Sequence, residues 1–198
     1  MQTFLPHSSY AECARILDNK RLNEQKVECK QIFLALTEEN YGWKNHPAVL
    51  MWKGYRFSLL DYALYITYEC IFRGMKDTLR PFFVEMLGLM KYKEMERPPW
   101  LTDNRLISSH RANLLRKDPI YYGKFGWTEQ PANHYFWPTH HQEYRKFINL
   151  KLSEEDMNQS TNAHDYGVIF GSSIYVTSTP YVTDQLDSLL DLTEPREV

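Results

Sequence analysis

The sequence predicts an all-α fold: a mainly helical single domain over residues 1–152, followed by an acidic extension over 153–198. Three observations carry this. Apolar residues recur three and four apart through most of the first 120 positions, the period of an amphipathic helix. Helix-starting and helix-ending residues punctuate those windows. The one strand-like candidate is a small β-hairpin of 168–170 with 174–176 around Gly171-Ser172, and it falls in the extension.

The elements follow in order. Ser9-Tyr10-Ala11-Glu12 has the form of a capping box, with Ser at the cap and Glu three residues on. Helical spacing then runs through Ala11, Ala14, Leu17, Val27, Phe33 and Leu34 to about Ala35. A polar run from Asp18 to Lys26, broken only by Leu22, interrupts it. A helix polar nearly all round faces solvent or a ligand. Asn40, Gly42 and Asn45 mark a loop, and Pro47 suits the first turn of a second helix. Val49, Trp52, Tyr55, Leu59, Tyr62, Ile66 and Cys70 extend that second helix as one long core element to Phe72, and Gly74 ends it. A shorter helix is expected over 77–91. Arg97-Pro98-Pro99-Trp100 reads as extended, because each proline disfavours helix in the residue before it. Another helix is expected over 104–116, stopped by Asp118-Pro119. An aromatic stretch from Tyr121 to Trp137 follows, and Pro138 opens a last helix to about 152.

Composition narrows the function classes. The net charge of −2 conceals an asymmetry: residues 1–150 hold 21 Lys and Arg against 16 Asp and Glu, a net of +5, and residues 151–198 hold 2 against 9, a net of −7. A mildly basic body with an acidic tail is compatible with phosphate binding by the body. The 15% of aromatic residues reads first as a ring-rich core and second as a supply of surfaces for stacking on bases. Cys13, Cys29 and Cys70 are odd in number and lack CxxC spacing, which speaks against a disulfide framework or a zinc site and for a reducing compartment. The start, MQTFLPHSSY, is not a signal peptide, and no apolar run reaches the 18 or so residues of a membrane span. The sequence shows no GxxxxGK loop, no HExxH and no GxSxG, so a nucleotide hydrolase, a zinc protease and an ordinary serine hydrolase are disfavoured. The adjacent pair His140-His141 cannot share a helix face and is not a metal pair. No metal or organic cofactor is expected.

Three stretches could carry chemistry. In the polar run, Arg21, Gln25 and Glu28 share one helical face, as do Glu24 and Glu28. Cations such as Lys20 and Lys26 with an amide beside a carboxylate can hold phosphate while the carboxylate works on a sugar or base. Composition alone reads the same run as a solvated, salt-bridged surface. Asn45-His46-Pro47 places a histidine at a helix start, where it either caps the helix or donates to an anion. His110-Arg111, then Arg116-Lys117 and Tyr122-Gly123-Lys124, interleave cations with rings, either as a nucleic-acid surface or as a basic helix beside an aromatic plug.

These stretches, in this order, resemble the pyrimidine-dimer DNA glycosylases of the phage endonuclease V type and their broader bacterial and phage relatives. The matching pieces are MQTFLP at 1–6, RILDNKRLNEQKVE at 15–28, GWKNHPAVLMWKGY at 42–55 and SHRANLLRKDP at 109–119, running into Tyr121–Lys124. The resemblance spans roughly residues 1–138. It implies an all-helical domain that binds duplex DNA, flips a base out of the stack and cuts its N-glycosidic bond, a hydrolase or lyase of DNA repair. It also implies attack by the α-amine of the chain, forming a Schiff base with the sugar, with help from a helix glutamate. Such an amine has an ordinary pKa near 8, so a useful fraction is nucleophilic near neutral pH.

The chain departs from the family pattern at two places. Gln2 follows Met1 where the family exposes a small residue on removal of the initiator, and a bulky second residue leaves Met1 in place. The nucleophile is then the α-amine of Met1, or a lysine such as Lys20 or Lys26. The family's catalytic glutamate directly follows an arginine, whereas Arg21 here is followed by Leu22 and Asn23. Glu28 and Glu24 are the candidates, with Glu28 favoured by the face it shares with Arg21 and Gln25. The expected machinery is therefore Met1, Glu28 or Glu24, Arg21 and Gln25. Around it, Lys20, Lys26, Asn45, His46, His110, Arg111, Arg116, Lys117, Tyr122 and Lys124 contact substrate, with Trp52 or Tyr122 as stacking rings or core. The expected setting is a monomer without membrane association in the cytoplasm of a bacterial cell or phage-infected host. Two other functions fit the same residues: action on a hypermodified pyrimidine of phage DNA, and recognition of distorted duplex without bond cleavage.

Overall fold

Helices supply the regular structure of residues 1–90 and 96–143, the part of the chain that the computed structural model describes, and no strand occurs among these residues. They fall within one compact unit. The expected boundary at 152, the tail hairpin and all but the start of the helix expected from Pro138 lie outside the described residues; inside them, Pro138–His140 forms a single 3₁₀ turn.

The first expected helix is two. Helix α1 (Tyr10–Ile16) is capped by Ser9, whose side chain accepts from the Glu12 N–H. Helix α2 (Asn19–Thr37) starts afresh because Asp18 adopts extended backbone and its carboxylate accepts from the N–H groups of Lys20 and Arg21. The corner between them is closed by Arg73, which donates to the carbonyls of Ala14, Arg15 and Leu17 at 3.2, 2.9 and 2.7 Å. One guanidinium thus collects the carbonyls left unpaired at the end of α1. On α2 the buried positions Leu22, Gln25, Cys29, Ile32 and Phe33 form a stripe at helical spacing.

The long second helix is also interrupted. Helix α3 (Pro47–Leu50) makes one turn from a His46 cap, and helix α4 (Arg56–Phe72) begins after Gly54, which sits at φ 77°. Turns follow α3 from Met51 to Gly54, whose left-handed backbone redirects the chain into α4, and the apolar spacing continues across the break because both flanks bury into the same core. Helix α4 is the centre of the fold and packs against α1, α2 and helix α5 (Arg80–Gly88). It ends at Gly74, φ 72°, with the Met75 N–H bonded to the Cys70 carbonyl at 2.9 Å. Asp77 caps the way into α5 through the Arg80 N–H at 2.8 Å.

Pro98 is extended as expected, and a 3₁₀ turn at Pro99–Thr102 drives Trp100 into the core edge-on to Trp52, ring centroids 5.0 Å apart. Asp103 caps helix α6 (Asn104–Lys117). Asp118 ends it and caps helix α7 (Pro119–Gly123), which lodges Tyr122 in the core. The aromatic segment then crosses back over α6, held by the Ala132 N–H on the Ala112 carbonyl and the Asn113 amide on the His134 carbonyl. Cys13, Cys29 and Cys70 are buried thiols. Among the described residues no helix is long and apolar enough to cross a membrane.

Candidate active site at the chain start

Residues 1–5 form no helix, yet Thr3, Phe4 and Leu5 are buried. A buried backbone outside regular structure must find hydrogen bonds elsewhere, and here side chains of three helices supply them. From α2, the Gln25 amide accepts from the Phe4 N–H at 2.7 Å and donates to the Gln2 carbonyl at 3.0 Å. From α4, the Tyr62 hydroxyl bonds the Phe4 carbonyl at 2.8 Å and the Gln25 oxygen at 2.9 Å. From α6, His110 Nδ1 accepts from the Leu5 N–H at 2.7 Å. Trp52 Nε1 donates to Thr3 Oγ1 at 2.9 Å.

This clamp delivers the chain start to Glu28. The Gln2 N–H donates to Glu28 Oε2 at 3.0 Å, and the Met1 α-ammonium lies 3.8 Å from the same oxygen. Glu24, one turn earlier on α2, is exposed. His46 lies within electrostatic reach of this pair. Its Nδ1 accepts from the Ala48 N–H at 3.1 Å as the cap of α3, so the neutral ring carries its proton on Nε2. Burial holds its pKa below the ordinary histidine value; the Met1 ammonium acts in the same sense and Glu28 opposes it. Of the two roles the sequence offered, His46 takes that of the cap, and the cap fixes its proton on Nε2.

Rings enclose the site. His46 meets Trp43 at 5.8 Å and Trp137 at 6.1 Å, both edge to face. Trp137 continues to Tyr135, which touches His110 and Phe4. Burial without a charged partner pushes the His110 pKa down to about 3, so the ring is neutral and accepts from Leu5. The Gln2 amide stands 3.1 Å from its Nε2.

A basic cluster lies beside Phe4 and Tyr135. Arg21 is held by Asp18 at 2.7 Å and by the Lys117 carbonyl at 3.2 Å. Burial lowers the Lys117 pKa, and the neighbouring Arg116, Arg21 and Lys20 lower it further against a weaker pull from Glu24. Lys117 Nζ lies 5.9 Å from the centre of the Phe4 ring. Arg21 has Asp18 as its partner, so the exposed Lys20, Arg116 and Lys117 are the cations that an anion would relieve.

Residues 1–80 match the family of pyrimidine dimer DNA glycosylases. No curated protein and no solved structure matches the chain. The glycosylase match takes in Met1, Gln25, Glu28, Trp43 and His46, whereas His110, Arg116, Lys117, Tyr135 and Trp137 come from the chain beyond it. Both parts meet at the same place.

The remaining residues singled out from the sequence sit elsewhere or in other roles. Lys26 is buried in an ion pair with Asp77 at 3.2 Å and donates to the Lys76 carbonyl. Tyr122 is core, with its hydroxyl on Asp18, and Trp52 is core as well. Burial raises the Asp18 pKa, but the bonds from Tyr122 and Arg21 outweigh it and leave the carboxyl below its ordinary value. Arg111 donates to the Pro6 carbonyl and lies against Trp127. Lys124 covers the Tyr121 ring, with Nζ 3.6 Å from its centre. Lys20 and Asn45 are exposed. Sequence reasoning missed Trp43, Trp137, Tyr135 and Tyr62; the one local signal was a tryptophan placed behind Gly42 in a loop. Among the described residues no group of three or more His, Cys, Asp and Glu could hold a metal ion.

Proposed function

We propose that the protein is a DNA glycosylase acting on a damaged or modified pyrimidine in duplex DNA, with the α-amine of Met1 as nucleophile. The observation that carries this is the 3.8 Å approach of that amine to Glu28 on a chain start clamped from three helices. The two lysine alternatives are less well placed: Lys26 is tied up with Asp77, and Lys20 is solvated.

In this reading Glu28 takes a proton from the ammonium and frees its lone pair. The nitrogen attacks C1′ of an extrahelical nucleotide, and the C1′–N bond to the base breaks. The base departs with the bonding electrons and takes up the proton that Glu28 received, so that Glu28 is ionised again; His46 Nε2–H stabilises the base's developing charge by a hydrogen bond. Glu28 then takes the second amine proton and passes it to O4′ as the C1′–O4′ bond breaks and the nitrogen lone pair forms the imine. Loss of the C2′ proton and of the 3′ phosphate would then cut the strand, and water would release the amine. Lys20, Arg21, Arg116 and Lys117 hold the backbone phosphates around the lesion.

The test is a labelled duplex with one cyclobutane pyrimidine dimer, incubated with and without borohydride. A nick and a reduced covalent adduct support the reading, and mass spectrometry of the adduct locates the amine. If the initiator is absent, the Gln2 nitrogen, already 3.0 Å from Glu28, takes the same role. No nick, no adduct and no alkali-labile site would remove this function for dimers and turn the search to hypermodified pyrimidines.

A further inference from the structure

Trp43 differs from the other four tryptophans. Trp52 and Trp100 are fully buried, Trp127 and Trp137 half-buried, and Trp43 is 68% exposed. It is also the one non-glycine residue among those described with a positive φ, 70°. The turn that it opens is closed by the His46 N–H on the Trp43 carbonyl at 2.8 Å and leads straight into α3. A bulky side chain in the left-handed region is strained, and strain of this kind collects at functional sites. Packing does not offset it, because the indole lies mostly in water and its ring contact among the described residues is with His46.

That contact gives the position its meaning. His46 feels the charges of both the Met1 amine and Glu28, so the imidazole and the indole beside it face the place where a sugar at that amine would present its base. Trp137, on the far part of the chain, meets the same imidazole. We infer that Trp43 is a substrate-contacting residue whose exposed indole stacks on the extruded base, with Trp137 as the second ring of the platform. The ligand class is a flat heterocycle joined to a deoxyribose. Stacking tolerates variation in the base edge, so Trp43 would govern extrusion and His46 the polar contact. This rests on the glycosylase reading.

The experiment compares wild type with Trp43→Ala, Trp43→Asn and Trp43→Phe in the full chain. The duplex carries one cyclobutane dimer with 2-aminopurine beside it. Asn tolerates the left-handed backbone, so it removes the ring without adding strain and serves as the folded control. Expected are a loss of single-turnover base release and of the 2-aminopurine rise by about 10- to 100-fold for Ala and Asn, the range of one base–aromatic stack. Affinity for undamaged duplex should be unchanged, and Phe should restore most of the rate. Release within two-fold of wild type in the Ala and Asn variants overturns the inference and leaves the glycosylase reading standing, as does a Phe variant as slow as Ala. A wild-type protein that neither releases base nor is trapped by borohydride overturns both.

Discussion

The α-amine of Met1 and the carboxylate of Glu28 lie 3.8 Å apart although 26 residues separate Gln2 from Glu28, and the Gln2 N–H anchors the same carboxylate oxygen at 3.0 Å. At this distance the carboxylate holds the ammonium as an ion pair, and a closure of under about 1 Å, or one bridging water, makes it a proton acceptor.

Glu28→Gln should therefore reduce base release and adduct formation by about 10²- to 10⁴-fold, the range of a positioned general base, while duplex affinity stays within a few-fold. Glu24→Gln should behave as wild type. Single-turnover gels and borohydride trapping read both; equal defects in the two variants would remove Glu28 from the proposed role.

Gln25→Leu is expected to be costly to the fold as well as to the chemistry. It leaves the Phe4 N–H and the Gln2 carbonyl without their partner inside the protein. Each buried polar group so stranded costs about 1–3 kcal/mol. Urea unfolding should show a loss of about 3 kcal/mol, with activity falling further than stability explains because the amine is no longer aimed.

Acid should weaken the fold through His110. Its folded pKa of about 3 lies below the ordinary histidine value, so the unfolded chain takes up the proton first. The stability is fully present above about pH 6.5 and is lost as the pH falls toward 3; at pH 5 the loss is about 2 kcal/mol. Melting curves from pH 7.5 to 5 should show the decline, and His110→Gln should flatten it. A wild-type profile no steeper than the variant's would contradict the buried, neutral ring.

Arg116→Ala combined with Lys117→Ala should lower duplex affinity, and should reduce the slope of log affinity against log salt by about 2, near 0.9 per phosphate contact. Lys26→Ala should leave that slope unchanged and destabilise the fold, since it takes the cation from the buried Asp77 carboxylate. Fluorescence anisotropy over a salt series separates the two effects.

The helices were legible because burial repeats at helical spacing along α2, α4 and α6. Their breaks were not. Asp18 looks like one more polar residue in a polar run, and only its capping of α2 shows that the chain restarts there. Gly54 sits within an unbroken apolar stripe, and only its positive φ shows that the chain turns there before α4 begins. The site was legible as residue types: Glu28, Gln25 and His46 could be named from the sequence. The work of Gln25 could not, because it clamps a segment whose path depends on Tyr62 and His110, 58 and 105 positions from their partners. Trp43 was hidden for the same reason, since exposure and a left-handed backbone belong to tertiary structure.

The clamp on residues 1–5 also ties reactivity to the order in which the chain assembles. The segment 1–5 receives one of its ties from His110 on α6, 105 positions later than Leu5. A partly folded chain with α2 and α4 in place would still lack that tie. Contacts at such separations form late and open together, so local loosening of α6 should disarm the amine before the other helices melt. Hydrogen exchange at the Leu5 amide would then report how often the proposed nucleophile is held in place.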